Sequence, residues 1–414
     1  MKRTPIQRAA IVDPYSSGAM LAPELANHGC ECVAVLGTSE VPSIFRSSYQ
    51  PGDFMEVIHH DGNIESTVAS LRTQDIRFVL AGSEPGVELA DELSERLGLP
   101  SNGTALSHAR RNKFHMIETA KQHGLRTPAQ CRAEQVPELL AWVRSHSRWP
   151  VIVKPLAGCA SDGVHCCQSE SEVTHAFDGI IGKPNILGLT NHAVLAQEFL
   201  HGTEYIVDTV SCAGRHRRAA FWKYQKPTAG PFVCYDAMEL LSFHGPIQDK
   251  LFSSACDVLD ALQIKVGPAH CELMWIDDQP VLIEIGARLS AGINAILPRL
   301  CGAKTCALDL DIDAYFHPEK FIEEADRLLD LPRAGANALL MPSSTGRLKA
   351  LPKVSNIESL RSFHRMSIGA KIGQMLPRVA GIVTLIHSDR QVVAEDLNTI
   401  REIQGDGFYE IDAH

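Results

Sequence analysis

The chain has 414 residues, of which 45% are hydrophobic and 21% charged, and its formal net charge is −10. That length holds roughly two to four domains around a large core, in the composition range of soluble globular proteins. The acidic balance without a long Lys/Arg run excludes a nucleic-acid footprint, and no window approaches the roughly 20 apolar residues of a membrane helix.

The opening MKRTPIQRAAIVDPYSSG has no apolar stretch long enough for a signal peptide, which points to the cytoplasm. The 12 cysteines are scattered, often within apolar runs, as at Cys166, Cys212 and Cys271. Cys30-x-Cys32 and the adjacent Cys166-Cys167 miss zinc-ligand spacing, so they read as buried, reduced thiols. Neither His-Glu-x-x-His nor Gly-x-Ser-x-Gly occurs.

Residues 1–103 alternate strand and helix. Strands are expected at 9–12, 32–36 and 77–81, and helices at 19–28, 64–73 and 86–97. This spacing predicts a parallel sheet covered on both faces, with ligands beyond the carboxyl ends of its strands. Asp13-Pro14-Tyr15-Ser16-Ser17-Gly18 and Ala81-Gly82-Ser83-Glu84-Pro85 occupy two of those ends. Both segments also fit ordinary turns. Glu84 is the candidate to meet a substrate amine.

Residues 104–124 read as helical, with Lys113 opening an amphipathic run. A strand at 151–153 ends in Lys154 and runs into a loop of small residues, Ala157 to Gly163. Gly158 and Gly163 let main-chain N–H groups approach phosphate oxygens, and Lys154 adds a point charge. The pattern is not a P-loop. Helix 170–181 and strand 192–200 follow, the latter closing on Gln197-Glu198. Glu204 opens the next strand, 205–212. Strand 219–224 and helix 246–262 lead to the most informative stretch.

That stretch is residues 267–292, GPAHCELMWIDDQPVLIEIGARLSAG. It reads as two strands joined by a polar turn, each with one carboxylate in an apolar run, Glu272 and Glu284. With a loop of three or five residues these would face each other, Cβ atoms about 5 Å apart. Paired carboxylates repel, and a hard cation carried by phosphates relieves the conflict. Arg288 adds a guanidinium suited to a carboxylate or phosphate. A hairpin with two solvated glutamates is the plain alternative. Helices at 293–300 and 308–316 follow, and an α+β segment begins near 332.

Taken in order, Lys113, Lys154 with its small-residue loop, Gln197-Glu198-Phe199-Leu200 with Glu204, then Glu272, Glu284 and Arg288 resemble the ATP-grasp superfamily of carboxylate–amine ligases. The closing Glu284-Ile285-Gly286-Ala287-Arg288-Leu289-Ser290-Ala291-Gly292 is most similar to the bacterial L-amino-acid ligases. Ligases of tabtoxin-like dipeptide biosynthesis are one candidate for a narrower match. Most superfamily members have Asn two residues after the second glutamate; here Gly286 stands there.

The resemblance implies an α/β and α+β multidomain fold. A parallel domain would span 1–103 and an ATP-grasp region 104–330, with a lid at about 127–201 and a small C-terminal α+β domain at 331–414. It implies an ADP-forming ligase that joins two L-amino acids through an aminoacyl phosphate, with ATP and Mg2+ or Mn2+, as a homodimer. Lys113, Lys154, Gly158, Ser161 and Gly163 would hold phosphates. Glu198, Phe199 and Leu200 would hold adenine, partly through main chain, and Glu204 the ribose. Glu272 and Glu284 would bind metal. Arg288 would hold the first substrate's carboxylate and the phosphate formed on it, with Ser290, Gly292 and His270 beside it. Lys154, Glu284 and Arg288 form the implied catalytic set. Two alternatives stand beside it: a carboxylating or formyl-transferring ATP-grasp enzyme of nucleotide metabolism, and an ATP-binding module without turnover.

Overall fold

The computed structural model describes residues 7–38, 40–226, 235–325, 327, 329–342, 344, 346–405 and 407–412. Its first layer is a four-stranded parallel sheet in the order Glu56–His59, Cys30–Leu36, Gln7–Val12, Phe78–Ala81. Helix Leu21–Asn27 covers one face, packing Leu21 and Leu25 on Ala9, Ile11 and Leu80. Helices Ile64–Thr73 and Val87–Leu97 cover the other, with Val68, Leu71 and Leu93 against Ala10, Val12 and Val33. Burial on both faces is why these strands are almost continuously apolar. The edge strand Glu56–His59 escapes sequence patterning because it is short and has no fully buried residue.

At the carboxyl ends of these strands two loops touch through glycines. A Cβ on Gly18 would lie 2.0 Å from the carbonyl oxygen of Gly82, and one on Gly82 would lie 2.7 Å from that of Asp13. Ser83 Oγ donates to the Asp13 carbonyl oxygen at 2.7 Å. The segment leading into Glu84 is therefore fixed by main-chain packing that no larger side chain would permit.

The second layer is an antiparallel sheet in the order Gln130–Ala133, Val194–Glu198, Val151–Pro155, His165–Cys167. Helices Val136–His146 and Glu170–Ile180 back it, around Val151, Val153, Val194, Ala196, Leu139, Val173 and Phe177.

The third is an eight-stranded sheet in the order Gln279–Gly286, Gly267–Ile276, Thr203–Cys212, Arg215–Gln225, Ala237–Leu240, Ala334–Leu340, Gly381–His387, Phe363–Ile368. All its pairings are antiparallel. The C-terminal strands thus extend the same sheet that carries the hairpin. Helix Arg390–Gly405 covers them, burying Val393, Leu397 and Ile400 on Ala336, Ala338, Val383 and Leu385.

Candidate active site

The hairpin differs from expectation in its turn. Ile276 pairs with Gln279, so the loop has two residues, Asp277 and Asp278, both with positive φ (51° and 59°). That is the left-handed geometry of a tight hairpin turn. Continued without interruption, this register would set Glu272 opposite Ile283 and send Glu284 to the other face. A bulge prevents it. Leu273 pairs with Leu282, but Glu272 pairs with Glu284, so Ile283 is the inserted residue. The core changes with it: Leu282 and Ile285 join Cys271 and Leu273, and Ile283 does not.

Glu272 and Glu284 therefore face each other on one side of the sheet, and cations gather there. Lys113 Nζ lies 2.7 Å from Glu284 Oε2. Lys113 opens helix Lys113–Gln122, which Asn112 caps by accepting from the N–H groups of Phe114 and His115. Its own N–H donates to the Leu156 carbonyl oxygen at 2.9 Å, tying the helix start to the small-residue loop. Burial opposes ionisation of Glu284, yet the ammonium groups of Lys113 and Lys154 and the Arg288 guanidinium hold its carboxyl well below the usual range.

Lys154 pairs with Leu195 on the face of the second sheet away from Val151, Val153, Val194 and Ala196. Burial pushes its pKa down to about 8, even with Glu284, Glu272 and Glu204 near it. Desolvation therefore outweighs the three carboxylates around this ammonium. Glu204 is buried too; its pKa is raised by burial although it pairs with Lys226 and accepts from Tyr235 Oη at 2.9 Å.

On Glu272's other side stands His270, whose Nε2 is 3.4 Å from Glu272 Oε1. Its Nδ1 lies 2.6 Å from Asp208 Oδ1, and Trp222 Nε1 donates to Asp208 Oδ2 at 2.7 Å. Burial alone would lower the imidazole pKa, but the Asp208 and Glu272 carboxylates outweigh it and hold it at about 9. The two carboxylates thus favour the protonated imidazole, which lies between Asp208 and Glu272.

Arg288 is anchored from the first layer. Its Nε donates to Glu84 Oε2 at 2.9 Å and its Nη1 to the Leu289 carbonyl oxygen at 3.0 Å. Arg111 takes Glu84's other oxygen. Gly286 lies against this pair: a Cβ there would be 2.9 Å from Glu84 Oε2 and 3.2 Å from Arg288 Cζ.

Other expected residues fall less centrally. The loop after Lys154 holds Gly158, Ser161 and Gly163 at φ 157°, 55° and 66°. Asn185 braces it by donating to the Ala157 carbonyl oxygen at 3.0 Å. The Glu198 carboxylate faces away from Lys154 and accepts from the Ala129 N–H at 3.1 Å, and its own N–H donates to the Ala129 carbonyl oxygen at 2.8 Å. The strand's parity explains this, since Glu198 shares a face with the core residues Val194 and Ala196. Phe199 rests edge-on against His201, and Leu200 is half-buried. Ser290 is buried with an unpartnered hydroxyl, and Gly292 is exposed at φ 57°. Sequence reasoning missed Arg111, Asp208, Lys226 and Tyr235. Asp208 alone left a signal, a lone carboxylate in the apolar run Tyr205–Cys212.

Among the described residues, no group of three or more His, Cys, Asp or Glu side chains converges as a metal cage. The facing carboxylates offer hard oxygen donors from one side, and a cationic Lys113 already sits on one of them. That suits Mg2+ whose shell is completed by phosphate oxygens and water.

Comparison with known proteins agrees with this geometry. A model described as ATP-grasp domain matches residues 147–296. Dapdiamide A synthase of Enterobacter agglomerans is 32% identical over 409 residues, covering 96% of each chain. This chain belongs to the ATP-grasp family. Among solved ATP-grasp folds, an L-amino acid ligase from Bacillus licheniformis superposes with a TM-score of 0.75 at 17% identity, over 100% of both chains. An N5-carboxyaminoimidazole ribonucleotide synthetase from Thermotoga maritima gives 0.69 at 14% identity, over 99% of this chain and 100% of that one. At these identities the likeness is one of fold, and it covers the parallel first layer as well as the antiparallel sheets.

Proposed function

We propose that this ATP-grasp protein joins two L-amino acids into a dipeptide, converting ATP to ADP and phosphate through an aminoacyl phosphate. The observation that carries the reading is the Arg288 guanidinium, held by Glu84 beside the facing carboxylates Glu272 and Glu284. Full-length kinship with dapdiamide A synthase supports amide-bond formation as the chemistry.

In this reading the first amino acid's carboxylate lies against Arg288, and one of its oxygens attacks the γ-phosphorus of ATP. The bond to the β–γ bridging oxygen breaks and ADP departs. Lys113 and Lys154 neutralise charge spreading over the transferred phosphoryl group, which is worth more in a dry site than in water. Glu272 and Glu284 would hold Mg2+, which would supply further neutralising charge at the phosphates. The second amino acid's amine then attacks the acyl carbon, loses a proton, and phosphate leaves. We propose that residues 127–201 form the lid that keeps water from the acyl phosphate. The main chain at Gly158–Gly163 would cover the phosphates, the main chain of Glu198–Leu200 the adenine, and Glu204 the ribose. Mn2+ as a substitute metal, a homodimer and a cytoplasmic location belong to the same proposal.

The test is a matrix of amino-acid pairs with ATP and Mg2+, scored for phosphate release and for dipeptide by mass. Phosphate release that needs two amino acids and yields their dipeptide is expected. Turnover only with aminoimidazole nucleotides, or none with any pair, would overturn the reading.

A further inference from the structure

The machinery above gives Glu84 no part in chemistry, and in the structure each of its oxygens already carries a guanidinium. Oε1 is taken by Arg111 and Oε2 by Arg288. Glu84 is 8% exposed, and charge attraction from Arg111, Arg288 and Lys113 outweighs the burial that opposes its ionisation. A buried carboxylate between two guanidinium groups is fixed in place, because releasing either would strand a desolvated charge.

The main chain under Glu84 is equally constrained. Gly82 and Gly86 press on the end of strand Gln7–Val12 so closely that a Cβ would come within 2.7 Å and 2.6 Å of the carbonyl oxygens of Asp13 and Val12. The Gly82 N–H donates to the Val12 carbonyl oxygen at 2.8 Å, and Ser83 Oγ to that of Asp13 at 2.7 Å. Across the cleft, Gly286 supplies no side chain where one would strike Glu84 Oε2 and the Arg288 guanidinium. Two rigid elements, 204 residues apart in sequence, therefore meet at one carboxylate.

We infer that Glu84 is a positioning residue for the reaction: with Arg111 behind it, it sets the plane of the Arg288 guanidinium and so the angle at which the activated carboxylate is presented to ATP. Of Arg288's five N–H donors, that of Nε is spent on Glu84 and one of Nη1 on Leu289, which leaves the second Nη1–H and both on Nη2 for substrate. A guanidinium held at two corners cannot swing, and small misplacements of a reacting group are costly to rate. Arg111 is the counter-charge that keeps Glu84 ionised and seated.

This inference rests on the amino-acid ligase reading, and its experiment separates the two. In Glu84→Gln, assayed well below the lowered melting temperature expected when two buried guanidinium groups lose their counter-charge, KM for the amino acid that is phosphorylated should rise about tenfold or more, with KM for ATP unchanged. In an Arg288→Lys background the same change should add nothing, because its effect passes through Arg288. A substrate analogue that keeps the carboxylate but lacks the α-amine should be as sensitive to Glu84→Gln as the amino acid itself. Additive losses in the double variant, or insensitivity of the des-amino analogue, would overturn the inference in favour of direct contact with the amine. A readout free of turnover is the 15N-arginine spectrum. The Arg288 Nε–H signal, assigned by its loss in Arg288→Lys, should move on Glu84→Gln substitution. If it does not move, the positioning role is wrong. If it moves but no amino acid is turned over by the unaltered protein, the ligase reading alone has failed.

Discussion

Lys154 offers the sharpest quantitative test. It is 5% exposed, and burial pulls its pKa from 10.5 to about 8 against the attraction of Glu284. At about 1.4 kcal/mol per pKa unit, charging it in the free enzyme costs roughly 3.4 kcal/mol more than in water. The γ- and β-phosphates of ATP would return that energy. Because the free-enzyme pKa is depressed, Lys154 is charged in both states below pH 8, and its contribution to binding is pH-independent there. Between about pH 8 and 10.5 the free enzyme has lost the proton and the complex has not, so binding takes one up. Affinity then falls about tenfold per pH unit, and about 300-fold across the window if the pKa is fully restored. Titration calorimetry of MgATP in buffers of different ionisation heat should show uptake of about 0.1 proton at pH 7 and about 0.9 at pH 9. Lys154→Met should abolish the uptake at pH 9. Equal uptake in that variant, or none in the unaltered protein, would refute the reasoning.

Three further outcomes follow from buried polar groups. Asp311 is 1% exposed with Oδ1 unpartnered, and burial raises its pKa from 3.8 to about 7. The folded state therefore holds this proton more tightly, and stability is lost as pH rises through that window. Asp311→Asn should raise the melting temperature at pH 8, by at most about 4 kcal/mol of stability, and leave it unchanged near pH 4. His270→Gln, which unpins Glu272, should raise the Mg2+ concentration for half-maximal turnover about 10- to 100-fold, measured by metal titration. Asn337 Nδ2 donates to Asn294 Oδ1 at 2.6 Å and its Oδ1 accepts from Thr384 Oγ1 at 2.7 Å, linking the C-terminal strands to the segment after Ser290. Asn337→Ala should cost about 1–3 kcal/mol in denaturant unfolding and raise KM for an amino acid more than for ATP.

Much of the site was visible in the chain because charge is conspicuous in apolar strands. Glu272, Glu284 and Lys154 stand out in this way, and Lys113 follows from their order. What stayed hidden was register and reach. A two-residue turn plus one bulged residue gives the same face-to-face carboxylates as a longer loop, and nothing in Val281–Ile285 marks Ile283 as the extra residue. The pairing of Glu84 with Arg288 joins distant segments, which no local pattern reports. The Glu198 orientation was accessible in principle, since period-two alternation through Val194 and Ala196 puts its side chain on the helix-covered face. The continuation of the hairpin's sheet into Ala334–Leu340 depends on strand pairing, to which short apolar runs carry no key.

The central claim, that a carboxylate held by Arg288 is phosphorylated before it is joined to an amine, is tested most directly by isotope transfer. The first amino acid, labelled with 18O in its carboxylate, is converted to dipeptide and the released phosphate is weighed. One 18O atom in phosphate per dipeptide is the predicted result. Dipeptide formed with unlabelled phosphate, or with the label in AMP, would contradict it.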